Sequence, residues 1–233
     1  MHDAAISAWS IKGWYDYIRP LSAIRSMAEN GQSTDNTQSN YNVLGLPLVE
    51  NYIETVDEGD PLNSLGNNTG KIKLFTWLGH DSITYPQTDQ AGVGWILAED
   101  WYPYQRPTFV TPPFAGYVSG HSVFSRTAAE LLTMMTGSEY FPGGLGEFRA
   151  KANEFLVFEE GPSVDVVLQW ATYKDASDQT SLSRIWGGIH PPADDIPGRL
   201  MGIEVGVKAF RESEAYFNNQ RTGLTELANS AIQ

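Results

Sequence analysis

The chain has 233 residues, 41% hydrophobic and 12% aromatic, enough for one large domain with a substantial core and too apolar for a disordered segment. Lys and Arg number 15 against 28 Asp and Glu, a net charge of −13, which argues against nucleic acid or an anionic membrane as partner. Cysteine is absent, excluding disulfides and thiolate metal sites, and no apolar run approaches the ~20 residues of a membrane-spanning helix.

Ala4 to Ile18 reads as a helix, with Asp3 as N-cap and Pro20 ending or kinking it. Lys12 and Arg19 are seven residues apart and would project from one face of that helix, with Trp9 alongside. Two such cations alone would read as a solvated stripe. The helical pattern begins almost at Met1, with no secretory leader pattern. That abruptness leads us to expect one half of a longer unit, or a second subunit covering the first helix.

From Asn30 to Thr111 the chain is rich in Gly, Asn, Pro and Asp. A short helix is expected around Val43 to Thr55 and a strand over Lys71 to Trp77. So much irregular chain suggests wrapping around a site. Ala91 to Pro107, with Trp95, Trp101, Tyr102 and Tyr104, is expected to form a lid or wall.

Pro112 to His121 is a Pro/Gly-rich loop running into a helix over Ser122 to Met135. Ser119 stands where an N-cap would, and Gly137 closes the far end. A glycine-containing turn opening a helix offers free N–H groups and the positive end of the helix dipole, an anion site with His121 as proton donor beside it. Downstream come a turn at Pro142-Gly143-Gly144, a helix expected from Gly146 to about Phe155, and a β-prone run over Val164 to Trp170, leaving room for a small β-hairpin. A helix from Tyr173 towards Arg184 is broken by Gly187-Gly188. Pro191-Pro192 then open a last helix reaching about Phe217, with Asp194 and Asp195 favourable in its first turn. The fold class is mainly α, with long irregular loops.

Lys12, Arg19 and Arg184 bring three positive charges, and arginine's fork suits tetrahedral oxyanions. Ser119 and the Gly120 N–H add neutral donors. His121 and His190 offer an acid/base and a nucleophile or ligand. Asp194 lies one turn beyond His190, placed to accept its Nδ1–H and fix its tautomer. Arg184 and His190 are six residues apart, so the glycine break is needed for both to reach one centre.

The order Lys-x6-Arg-Pro (Lys12, Arg19-Pro20), Ser-Gly-His (Ser119-Gly120-His121) and Ser-Arg-x5-His (Ser183-Arg184, His190) resembles the signature of vanadium-dependent haloperoxidases and the type 2 phosphatidic acid phosphatase superfamily. Two departures are Val118, where proline is commoner, and the missing helices ahead of the lysine block. The resemblance implies a helical bundle with the site among helix ends, and residues 1–233 forming a single catalytic domain, the C-terminal half of a longer haloperoxidase-like protein.

On the haloperoxidase side, the resemblance implies vanadate as cofactor, with phosphate as competing anion. His190 would be the metal ligand, and Lys12, Arg19, Ser119, Gly120 and Arg184 would hold the remaining oxygens. His121 would be the acid/base, Lys12 would polarise bound peroxide, and Asp194 would support His190. The partners would be hydrogen peroxide, a halide and a small-molecule acceptor. Trp9 and Phe114, three before the lysine and seven before His121, are similar to the halide pocket of the chloroperoxidase branch. The alternative is a soluble acid phosphatase using the same residues through a phosphohistidine at His190. A non-catalytic oxyanion binder ranks last, since both histidines are present.

Overall fold

A computed structural model describes residues 1–79, 85, 91–154 and 161–218. Its elements, in chain order, are α1 (His2–Tyr15), α2 (Pro20–Asn30), β1 (Ile53–Thr55), β2 (Ile72–Trp77), β3 (Val93–Leu97), α3 (Gly120–Thr136), β4 (Gly146–Ala150), β5 (Val166–Trp170), α4 (Tyr173–Trp186) and α5 (Pro192–Phe217), with short 3-10 turns between them. The fold is mainly α.

The bundle is organised on α3, which packs along α5 and α4, while α1 crosses both α3 and α5. Its closest contact is made by glycines. Gly198, Gly202 and Gly206 recur every fourth residue, on one face of α5. A Cβ at Gly202 would lie 2.8 Å from the Val123 carbonyl oxygen, and one at Gly206 3.1 Å from that of Thr127. Backbone therefore meets backbone, and Thr127 Oγ1 donates across the gap to the Gly202 carbonyl at 3.2 Å. Ala4 and Ala8 of α1 complete this small core with Val118 and Val123.

A second core lies under the three-stranded antiparallel sheet β1-β2-β3, where Ile72, Leu74 and Trp101 pack on Met27 of α2. The stretch between Asn30 and Thr111 thus builds a separate layer on α2, and its later part approaches the bundle.

The strand expected over Lys71 to Trp77 forms as β2. The helix expected around Val43 to Thr55 does not. Gly45 there is pressed against the backbone of Gly31 and Gln32, Asn51 has φ 66°, and the run ends as β1. The expected helix from Gly146 is instead β4, paired with β5 in a hairpin from Gly146↔Trp170 to Ala150↔Val166. Its five residues are too few for helical spacing to outweigh cross-strand pairing; Phe155 lies outside the described residues. The first helix also ends early. Asp16, at φ 43°, closes α1 in the left-handed conformation, so Arg19 is not on α1 at all, and Pro20 opens α2 as its first residue. Asp3 is not the cap, because the helix starts at His2.

Gly202→Val should destabilise the protein by about 2 kcal/mol or more through overpacking against α3. Gly13→Ala, on exposed α1 where a Cβ meets nothing within 4 Å, should instead stabilise it by about 0.5–1 kcal/mol. Denaturant unfolding of the two variants checks both signs.

Candidate active site: a cationic cage at three helix ends

Four segments meet where α3 and α5 begin and α4 ends. Ser119 caps α3, its Oγ accepting from the Ser122 N–H at 3.3 Å. Because that oxygen is the acceptor, the hydroxyl proton is left for another partner. The first N–H groups of α3, Gly120 included, have no intrahelical acceptor, as at any helix start. Ser119 N–H donates to the Asp194 carbonyl oxygen at 2.9 Å, tying the start of α3 to the first turn of α5.

Asp194 also orients His190. Its Oδ2 lies 2.7 Å from His190 Nδ1, and both residues are buried. On the other side of the ring, Arg19 Nη1 lies 3.0 Å from Nε2. An ionised carboxylate only accepts and a guanidinium only donates, so Nδ1 carries the proton and Nε2 presents its lone pair. Burial pushes the His190 pKa down; the Asp194 hydrogen bond opposes this and the Arg19 charge reinforces it.

The cations are held by carbonyl oxygens of the loop before α3. Lys12 Nζ donates to Ala115 O at 2.8 Å and Gly116 O at 2.9 Å. Arg19 donates through Nε to Phe114 O at 2.8 Å and through Nη2 to Ala115 O at 3.3 Å. Burial, with the Arg19 charge adding, lowers the Lys12 pKa to about 8, against the pull of Asp194. Arg184, in the last turn of α4, reaches Tyr104 Oη through Nη1 at 3.2 Å, while its buried Nε has no partner among the described residues.

A cavity of about 410 Å³ opens over this cage, lined by Arg19, His121, Arg184 and His190 on the polar side and by Trp9, Phe114 and Phe124 among its apolar groups. Lys12 and Ser119 are buried beside it. Trp9 and Phe114 pack at 5.2 Å between ring centroids, with Lys12 Nζ 5.3 Å and the Arg19 guanidinium 5.1 Å from the Phe114 ring. Partial burial, then the charges of Arg184, His190, Arg19 and Lys12, push the His121 pKa down to about 4. The ring remains exposed at the cavity mouth; solvent there moderates the first cause, while the gathered positive charge keeps the direction.

The structure therefore brings together every residue singled out from the sequence: Trp9, Lys12, Arg19, Phe114, Ser119, Gly120, His121, Arg184, His190 and Asp194. Arg19 arrives on the extended linker before α2 rather than on a shared helix face. Two contributors were missed. Ser122 Oγ donates to Asp195 Oδ1 at 2.6 Å, and Arg199 pairs with the same carboxylate at 2.9 Å, a buried brace behind the cage whose one sequence signal was the Asp194-Asp195 doublet. Tyr104, placed only in a general wall, is the other.

His121 also makes stability depend on pH. Its folded pKa lies below the unfolded value of 6.5, so between about pH 4 and 6.5 the unfolded chain binds more protons and stability rises with pH. His121→Gln should flatten part of that rise. Urea unfolding at pH 4.5 and pH 7 reads it as a smaller stability gain than in the parent.

Residues 62–219, more than half of the chain, match the family model described as the VCPO second helical-bundle domain; Lys12 and Arg19 lie outside that match. The fold is similar to a holo-type bacterial vanadium-dependent chloroperoxidase, at 19% identity and a TM-score of 0.57 over 89% of this chain and 32% of that one. It is equally similar to an apo-type bacterial vanadium-dependent chloroperoxidase, at 19% identity and a TM-score of 0.59 over 91% of this chain and 34% of that one. The chain thus spans about a third of the length of these solved structures. No curated protein matches it. Among the described residues no helix is long and apolar enough to cross a membrane. On the extent of the bundle-domain match, the chain belongs to the vanadium haloperoxidase family.

Proposed function

We propose that the protein is a vanadate-dependent haloperoxidase, converting hydrogen peroxide, halide and a proton to hypohalous acid and water. One observation carries the reading: three cations gather at a histidine whose unprotonated nitrogen is Nε2, against a single carboxylate in the cage among the described residues, Asp194.

The residues fit a tetrahedral oxyanion. The excess positive charge is unbalanced, the buried Arg184 Nε has no acceptor among the described residues, and burial and the Arg19 charge disfavour the charged form of Lys12, whose pKa falls to about 8. An anion would relieve all three. Lys12, Arg19, Arg184, the Ser119 hydroxyl and the Gly120 N–H would hold vanadate oxygens, with His190 Nε2 as the ligand. When bound, vanadate supplies a Lewis-acid centre that activates peroxide for two-electron oxidation of halide without changing its own oxidation state.

The chain's own groups do the rest. Asp194 keeps Nδ1 protonated, so that Nε2 stays a donor of electrons. Arg19 must give up its bond to Nε2 and turn that N–H to the anion. His121, neutral at pH 7, can accept a proton from incoming peroxide at a ring nitrogen and return it as water leaves. Trp9 and Phe114 lower the dielectric around Lys12 and Arg19, which strengthens polarisation of the peroxide and favours oxidation of chloride as well as bromide.

The test is halide oxidation by protein stripped of oxyanions. Activity should be absent, return with orthovanadate, and fall again with excess phosphate. His190→Ala should lose most orthovanadate affinity, whereas His121→Ala should keep the affinity and lose turnover by about 10²–10⁴-fold. Activity indifferent to orthovanadate, or hydrolysis of phosphate monoesters in its place, would favour a phosphatase working through His190.

A further inference from the structure

We propose that Tyr104 is a positioning residue which aims the Arg184 guanidinium into the cage, and that the Gly187-Gly188 break admits its ring; this rests on reading the cage as an oxyanion site.

The three cations are not held alike. Lys12 is fixed by two backbone carbonyls, and Arg19 by carbonyls together with His190. Among the described residues Arg184 has no such cradle: its guanidinium donates from Nη1 to the Tyr104 hydroxyl. The direction of that bond follows from its neighbour. Tyr104 Oη lies 2.9 Å from Ser183 O, which can only accept, so the phenolic proton is spent there and the oxygen's lone pairs face the guanidinium. Ser183 and Arg184 are adjacent in α4, so one hydroxyl ties the helix's last turn to the arginine it carries.

The ring is seated with comparable care. Tyr104 N–H donates to the Gly187 carbonyl at 2.8 Å, and any Cβ at Gly187 would collide with the phenol ring. Trp101 covers the neighbouring Gly188, where a Cβ would come within 2.5 Å of its indole. Phe109 packs on the other side of Tyr104 at 4.9 Å. The backbone of Tyr104 has φ 56° and ψ 13°, a left-handed conformation that is strained for a residue bearing a side chain. Such strain persists where surrounding contacts over-determine it, and it clusters at functional sites. The break therefore has a second use beyond turning the chain from Arg184 to His190: it leaves room for an aromatic ring from residues far away in sequence.

Tyr104→Phe keeps the ring and removes the hydroxyl. The probe is phosphate, titrated calorimetrically into the whole protein, with orthovanadate as a second titrant. Tyr104→Phe should weaken binding about tenfold, the worth of one hydrogen bond to a charged group. In an Arg184→Ala background the same change should add less than about twofold, since the tyrosine acts through the arginine. The profile of affinity against pH should shift downward in parallel, keeping its shape, because Lys12 and the ligand titrate as before. Several results would overturn the proposal: parent-like affinity in Tyr104→Phe, losses that add in full with Arg184→Ala, a changed pH profile, or a variant that no longer melts cooperatively. A parent protein that binds neither anion would remove the oxyanion reading along with it.

Discussion

Like charges do not gather inside a protein unless something holds them, and here the holding groups are peptide carbonyls. Phe114, Ala115 and Gly116 turn their oxygens towards Lys12 and Arg19 from one short loop. Fixed dipoles of this kind stabilise a cation without neutralising it, so the site keeps its positive potential. A carboxylate at each cation would have cancelled the charge and left nothing for an anion to meet. Among the described residues the one carboxylate admitted, Asp194, serves His190, and its backbone carbonyl is committed to Ser119 N–H.

The bundle can be understood from that loop outward. The loop must lie where α3 begins, because the N-cap and the free N–H groups of the first turn face the same space. The start of α5 must lie beside the start of α3 so that Asp194 can reach both Ser119 and His190. Glycine at every fourth position of α5 permits this: two helices carrying larger side chains there would separate, drawing Asp194 away from Ser119. The buried Ser122–Asp195–Arg199 brace holds the same two helix starts in register from behind.

Much of the site was legible because its signals are local. Ser119 and Gly137 mark the two ends of α3, the glycine pair marks the end of α4, and the spacing of His190 and Asp194 is one helical turn. What escaped depends on distant partners. Gly146 to Ala150 becomes a strand only because Val166 to Trp170 lies across from it, and β2 pairs with strands distant from it in sequence. Arg19 was placed on α1 because heptad spacing was assumed to continue, whereas the left-handed Asp16 ends the helix and leaves Arg19 on extended chain. Tyr104 looked like one aromatic among several; the hydroxyl that distinguishes it acts on residues about eighty positions away.

The hydrogen bond between Arg19 and His190 Nε2 has a kinetic consequence. The imidazole lone pair is not idle but plugged by a cation from the same chain. If the cage takes an anion as proposed, uptake is an exchange in which the guanidinium releases nitrogen and takes oxygen. Such a latch occupies the lone pair that a proton would otherwise take. It also subtracts from affinity, since every arriving ligand must first break a bond already made. The chain's net charge of −13 repels anions at long range, so loading should be slow in dilute buffer and faster as salt screens the approach.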